Sequence, residues 1–374
     1  MPLGVQIRDD AIMNSSQRNE TACDQHIKPR STTRMPHVAA TCAQDMSCAD
    51  ATLRRKPSDD STGNDSMAIS TTASARHAEA CRKSDQMTDL SLVVCTRNRA
   101  RSLANCLDHM LDLRSRFKIE ALVIDNGSSD NTRDVALAKA KTATFPMRYI
   151  FEDRPGVGRA MNTGYVSSQG SIVAFTDDDC YVDSNLCDAI MQGFEDPAIG
   201  YMGGRIELFD PTDARITIDE RTEIIAYPPN RPIFAGMFHG ANLAFRRAAL
   251  DMINGIDPWF GPGSLVGSGA DIDAVARVSR AGWAGLYQPT AVVRHHHGRK
   301  LDHLPSLRRQ YAIGRGAFNA KSFHESFDII GLARALRISF LVGREDPRAY
   351  YYELVGVARY LKVLQQKRRL ARMS

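Results

Sequence analysis

LSLVVCTRNRARSLANCLDHMLDL, residues 90–113, reads as one β-strand handing over to one α-helix. LSLVVCT is short, β-branched and continuous, as a strand covered on both faces must be. In ARSLANCLDHMLDL, Leu103, Leu107, Met110 and Leu111 recur at helical spacing and fall on one face. The alternation continues downstream. ALVIDNG (121–127) reads as a second buried strand ending in a turn, and SSDNTRDVALAKAK (128–141) as a second helix. MRYIFED (147–153), a GVGRAMNTGYVSSQ helix (156–169), SIVAFTDDD (171–179) and DSNLCDAIMQGFE (183–195) repeat the pattern. Strands alternating with helices of this length predict βαβ units: an α/β fold with a mostly parallel sheet covered by helices on both faces.

In such a sheet ligands sit beyond the carboxyl ends of the strands. Four polar signals fall there: Thr96 with Arg97, then Asp125, then Glu152 and Asp153 before a glycine turn, then Asp177, Asp178 and Asp179. Three adjacent carboxylates repel one another, which raises their pKa values unless a cation or strong donors offset the repulsion. A divalent metal is one such offset. Taken alone, the triplet also suits a polar strand end whose last Asp caps the next helix. Asp125 in DNGSSD equally suits a turn. GVGRAM lacks the third glycine of a dinucleotide fingerprint and follows the third strand rather than the first, and no Walker phosphate loop is present.

Composition narrows the class. The 374 residues leave room for two or three domains, at roughly 150 residues each. No stretch approaches the roughly 20 apolar residues of a membrane span. MPLGVQIRDDAIMNSSQRNE lacks the apolar centre of a signal peptide, so a cytoplasmic protein is expected. The cysteines, Cys23, Cys42, Cys48, Cys81, Cys95, Cys106, Cys180 and Cys187, form no CxxC pair, which predicts reduced thiols and no cysteine nucleophile. Residues 1–88 are rich in Ser, Thr, Asn, Asp, Ala and Arg and keep no apolar periodicity, a composition that predicts a disordered tail; a true start at Met67 or Met87 is the other reading. Net charge of +5 hides a C-terminal segment, residues 299–374, with sixteen basic residues against six acidic ones. That segment suits an anionic surface: a membrane face before nucleic acid, with packing on the rest of the chain as the plain alternative.

VVCTRNRARSLANCL, VIDNGSSDNT, RPGVGRAMNTGYVSSQGSIVAFTDDDC, GADIDAVARVSRAGW and PTAVVRHHHG, in that order and at ordinary spacings over roughly residues 88–300, resemble family 2 glycosyltransferases. RRQYAIGRGAFNAK resembles a helix that follows the catalytic domain in bacterial members. The resemblance implies a GT-A fold with a Rossmann-like, mostly parallel sheet over residues 89–300, its nucleotide-binding half at 89–180 and its acceptor half at 181–300, and a helical extension over 301–374.

It also implies a reaction: inverting transfer of a sugar from a nucleoside-diphosphate sugar, UDP-linked if Asp125 accepts the uracil N3 hydrogen, to an acceptor hydroxyl, assisted by Mg²⁺ or Mn²⁺. In the family's DXD pattern the first Asp, here Asp177, faces the ribose and the last, Asp179, holds the metal, with Asp178 between them. Thr96, Arg97 and Asp125 match positions around the base. Gly158, Arg159 and Asn162 match the donor-side helix that Gly156 and Gly158 open. Asp271 matches the general base, although the Glu that usually precedes it is Ala270 here. His295 is the member of the His tract placed to reach the metal. The implied acceptor is a glycan or a lipid-linked carrier of cell-envelope polysaccharide, reached by peripheral contact of the basic C-terminal helices with the membrane's inner face; nucleic acid is not an expected partner. A non-catalytic sugar-nucleotide or glycan-binding module and a sugar-nucleotide nucleotidyltransferase are the alternatives. The second lacks its glycine-rich phosphate loop, since VVCTRNRAR contains no glycine.

Overall fold

The computed structural model describes residues 88–327 and 329–372. The tail expected over residues 1–88 lies outside them except for Thr88. Nine strands form one sheet: β1 (Leu90–Thr96), β2 (Ile119–Asp125), β3 (Met147–Phe151), β4 (Ile172–Asp177), β5 (Cys180–Val182), β6 (Ile199–Leu208), β7 (Ile225–Tyr227), β8 (Leu243–Arg246) and β9 (Ala284–His295). Their order is β3-β2-β1-β4-β8-β6-β9-β5, with β7 on β9. The long ladders, β3-β2-β1-β4 and β6-β9, are parallel. The short pairings through β8, β5 and β7 are antiparallel.

The continuous apolar character of β1 has a direct cause. Leu90, Leu92 and Val94 face one core, with Leu103, Leu107 and Met110 of helix α1 (Ala100–Leu111). Val93 faces the other, with Ala160 and Met161 of helix α3 (Val157–Ser167). Helix α2 (Thr132–Ala140) and helix α4 (Leu186–Gly193) add to the first layer. The second layer is completed by α5 (Arg247–Met252) and α6 (Ala270–Arg280). In-plane neighbours Thr96 and Asp125, and Cys95 and Asp177, line up along one edge of the sheet, as parallel register requires.

The far half of the sheet curls back over that edge. Asp177 ends β4 and Cys180 begins β5, three residues that reach at most about 11 Å, yet β5 pairs with β9 beyond two intervening strands in the sheet order. Within this half the β6 and β9 register jumps, from Gly204 opposite Gln288 to Arg205 opposite Val292. Asn242 staples the jump by donating its side-chain amide to the carbonyls of Arg205 (3.0 Å) and Ala291 (2.8 Å). Only glycine fits at 204, because a Cβ there would collide with Asn242 and the Ala291 carbonyl.

Three C-terminal helices follow: α7 (Leu304–Ser326), α8 (Ile329–Glu345) and α9 (Arg348–Ala371). Ala317 and Phe318 of α7 and Tyr360 and Val363 of α9 belong to the same buried cluster as α6. Lys321 of α7, 2% exposed, donates to Asp257 (2.7 Å) and pairs with Asp273 of α6 (2.7 Å). Asp273 also binds Arg277, and Asp257 also binds Lys367 of α9. Removing one partner of a buried pair leaves an uncompensated charge. Lys321→Met is therefore expected to cost about 3–5 kcal/mol in urea-unfolding stability; a loss within about 1 kcal/mol would contradict this anchoring role.

Candidate active site

The triplet sits where β4 leaves the sheet, and each of its members meets a different surrounding. Asp178 and Asp179 are buried; Asp177 keeps solvent contact on one side. Thr96 Oγ1, at the tip of β1, donates to Asp178 at 2.7 Å. Arg99, at the start of α1, forks across two carboxylates, with Nη1 3.0 Å from Asp178 and Nη2 2.8 Å from Asp179. The antiparallel register that puts Cys180 opposite His295 brings the His295 Nε2 to 3.1 Å from Asp179 Oδ1. The His296 N–H donates to the Asp179 carbonyl at 2.8 Å, and Thr217 lies 3.2 Å from His295 Nδ1, so the ring is held from both sides.

These contacts divide the triplet electrostatically. Burial opposes charge on Asp179, but His295 and Arg99 outweigh it and hold that carboxyl well below the usual range. His295 is held above its ordinary value in return: burial works against its charge, and Asp179 and then Asp177 more than offset that. Dense protein surroundings, then the charge on Asp179, push Asp177 up to about 6. Burial pushes Asp178 up to about 7 despite Arg99 and Thr96.

Carboxylate oxygens of Asp177 and Asp179, the His295 imidazole and the Cys180 sulfur all lie within 4.8 Å of one another. Two ligands about 2.1 Å from one ion stand at most about 4.2 Å apart, so the group needs only a small contraction to share one. Burial and the neighbouring aspartates push the Cys180 thiol far up, which leaves a protonated, poor ligand. Two carboxylates and one imidazole remain, a donor set that fits Mg²⁺ or Mn²⁺.

Asp271 stands on the first turn of α6 and is oriented by two backbone donors, Gly240 N–H at 3.0 Å and Ile272 N–H at 2.9 Å. Its charge is among those that raise Asp177. His239 and Tyr311 lie within the same electrostatic reach. Burial holds His239 below its ordinary value while Asp271 pulls the other way. Burial raises Tyr311, with Asp271 and Asp177 adding to the rise and Arg299 opposing it. Ala270 is 4% exposed and packs against Gly261, so the position of the family's Glu is filled by a small core side chain.

Asp125 lies one strand further along, buried, accepting from Tyr149 Oη at 2.8 Å and from the Ser128 N–H at 2.9 Å. Other expected donor residues are placed differently. Arg97 points to solvent. Gly158 closes against the 257–260 loop, where a Cβ would stand 2.8 Å from the Asp257 carbonyl oxygen. Asn162 uses both side-chain polar atoms on the Ile256 backbone, at 2.6 and 2.8 Å. Arg159 is half-buried, its side chain beside Gly156. Arg99, Asn126, His239 and Tyr311 are the residues that sequence reasoning missed. Asn126, directly after Asp125, binds the carbonyls of Glu152 and Arg154 and accepts from the Gly156 N–H at 2.8 Å, which fixes the turn into α3.

Residues 91–253 match Glycosyl transferase family 2. Over that stretch the chain is similar to family 2 glycosyltransferases. Glycosyltransferase AglE of Haloferax volcanii is 27% identical over 260 residues, 68% of this chain and 80% of AglE. An uncharacterized glycosyltransferase of Nostoc sp. is 27% identical over 180 residues, 45% of this chain and 54% of its own length. A mannosyltransferase of Pyrobaculum calidifontis, solved with GDP-Man and Mn²⁺, superposes with a TM-score of 0.53 at 19% identity, covering 81% of this chain and 91% of that one. The chain thus has the expected GT-A architecture of a mixed, mostly parallel sheet with C-terminal helices.

Asp177 and Asp178 keep their protons to higher pH when folded than when unfolded. Their stabilising contribution is therefore complete below about pH 4 and is lost as pH rises through about 6 and 7. Asp178→Asn, which imitates the protonated acid, should raise metal-free stability by about 1–3 kcal/mol near pH 8 and change it little near pH 4. Thermal melts at the two pH values check this; an equal effect at both would contradict it.

Proposed function

We propose that this family 2 glycosyltransferase is an inverting, metal-assisted hexosyltransferase that uses a UDP-linked sugar and an acceptor hydroxyl. The observation that carries the reading is that Asp177, Asp179 and His295 arrive from two separate segments with ligand atoms within 4.8 Å of one another, while the charge of Asp271, on a third, reaches Asp177. The Mn²⁺ in the Pyrobaculum mannosyltransferase supports the same cation here.

Asp179 and His295 would hold the ion, with Asp177 beside the ribose. A bound Mg²⁺ or Mn²⁺ would neutralise charge on the departing diphosphate. Asp125, fixed by Tyr149 and Ser128, offers its remaining lone pairs to the uracil N3 hydrogen. Asp271 removes the acceptor hydroxyl proton, and the oxygen attacks the anomeric carbon from the face opposite the diphosphate. The bond from that carbon to the diphosphate breaks, and the configuration inverts. Loss of general-base assistance costs roughly 10²–10⁴ in rate. Asp271→Asn is expected to lower kcat by that factor while UDP binding with Mn²⁺ stays within about twofold. A variant that keeps its kcat would remove Asp271 from this role.

A second reading, a sugar-nucleotide-binding module without turnover, is favoured by one observation: the family Glu is replaced by the packed Ala270. Slow release of nucleoside diphosphate from UDP-, GDP- and dTDP-sugars with Mn²⁺ separates the two. Release from none of them, with binding intact, supports the module.

For the acceptor we favour a glycan or lipid-linked carrier at the cytoplasmic membrane face. Among the described residues no helix is long and apolar enough to cross a membrane. Ile329, Leu336 and Phe340 instead line one face of α8 at 73%, 61% and 57% exposure, with Arg337 and Arg344 beside them. An apolar helix face flanked by arginines suits the headgroup region of an anionic bilayer. The full chain is expected to float with anionic vesicles and not with neutral ones, and Leu336→Asp with Phe340→Asp to abolish flotation. Flotation unchanged by both substitutions would contradict the α8 contact.

A further inference from the structure

A cavity of about 400 Å³ lies between the 262–267 loop, α7 and α9, lined in part by Gly263, Gly267, Ser306, Arg309, Gln310 and Arg359. None of its lining residues is acidic. Arg359 Nη1 donates to the Leu265 carbonyl at 3.2 Å. The Arg309 guanidinium lies 5.3 Å over the Tyr352 ring. Among the described residues neither arginine has a carboxylate partner. Each guanidinium carries five N–H donors in a planar fork that matches phosphate oxygens, and most of that hydrogen-bonding capacity is not taken up by protein.

Two segments that line the cavity lead directly to residues of the candidate active site. Gly267 is four residues from Asp271, a reach of at most about 14 Å. Gln310 lines the cavity, and Tyr311, the next residue of α7, lies within electrostatic reach of Asp271 and Asp177. We propose that the cavity binds a phosphate or diphosphate group of the acceptor, held by Arg309 and Arg359, so that the acceptor hydroxyl is presented to Asp271. The proposal rests on the transferase reading for the word acceptor; anion capture by the cavity itself does not.

The test is calorimetric titration of the full chain in EDTA, where no divalent ion can bind anions at the carboxylates, with inorganic pyrophosphate and with farnesyl diphosphate as probes. Wild type is expected to bind. Arg309→Gln with Arg359→Gln should weaken binding by at least about tenfold, through loss of charge-assisted pairs, while Asp179→Asn leaves it unchanged. Tighter binding of farnesyl diphosphate points to a lipid-linked acceptor, and equal binding to a soluble phosphorylated one; either supports the proposal. Failure of wild type to bind both probes overturns it, as does unchanged affinity in the double variant. Arg309→Gln alone, at an exposed position, guards against misfolding as the cause and should give part of the loss. UDP titrations with Mn²⁺ on the same samples separate the two ideas. If the double variant binds UDP tenfold more weakly, the cavity holds the donor's own diphosphate and the proposal falls. If wild type binds no UDP, the transferase reading fails independently of the cavity.

Discussion

Three consecutive carboxylates can be kept together only if positive charge is delivered to them from elsewhere in the chain. Here Arg99 arrives from the first βα turn and His295 from the last strand, and both converge on Asp179. Their pairing leaves Asp179 strongly acidic, while burial leaves Asp177 and Asp178 reluctant to ionise. A further cation would offset the cost of ionising these two carboxyls, as a divalent ion does at clustered carboxylates.

That convergence depends on sheet geometry more than on any single side chain. β6 and β9 jump in register at Gly204, where Asn242 staples them, and the end of β9 beyond the jump meets Asp179 just past the tip of β4. Asp271 is set against the same edge by the α6 N-terminus and the Gly240 N–H. The buried Lys321 couples α6 to α7, and α7 in turn carries Tyr311 toward Asp271. The C-terminal helices thus share the catalytic domain's core, through Phe318, Tyr360 and Val363.

Much of this was legible from residue order. β1 to β4 are apolar on both faces, so their runs stand out, and parallel strands force their polar tips onto one edge; Thr96, Asp125 and the triplet follow. HGANLAFRR reads as a strand leading to a helix, and β8 with α5 fulfils it. The short β5 was not legible: CYV is three residues long, and only its pairing with β9 makes it a strand. Arg99 looked like one more arginine in TRNRAR, since nothing local says which of Arg97 and Arg99 turns inward. Asn162 and Gly158 matched a pattern, but their contacts with the 256–260 loop come from tertiary packing. Tyr311 lies some forty residues after Asp271 in the chain, and no periodicity connects them.

The account stands on one cation bound between the tips of β4 and β9. Crystals grown with Mn²⁺ and UDP, measured at the manganese absorption edge, test it most directly. An anomalous peak about 2.1–2.3 Å from an Asp179 carboxylate oxygen and the His295 Nε2 is the predicted result. A peak elsewhere, with Arg99 still forked across Asp178 and Asp179, would contradict it.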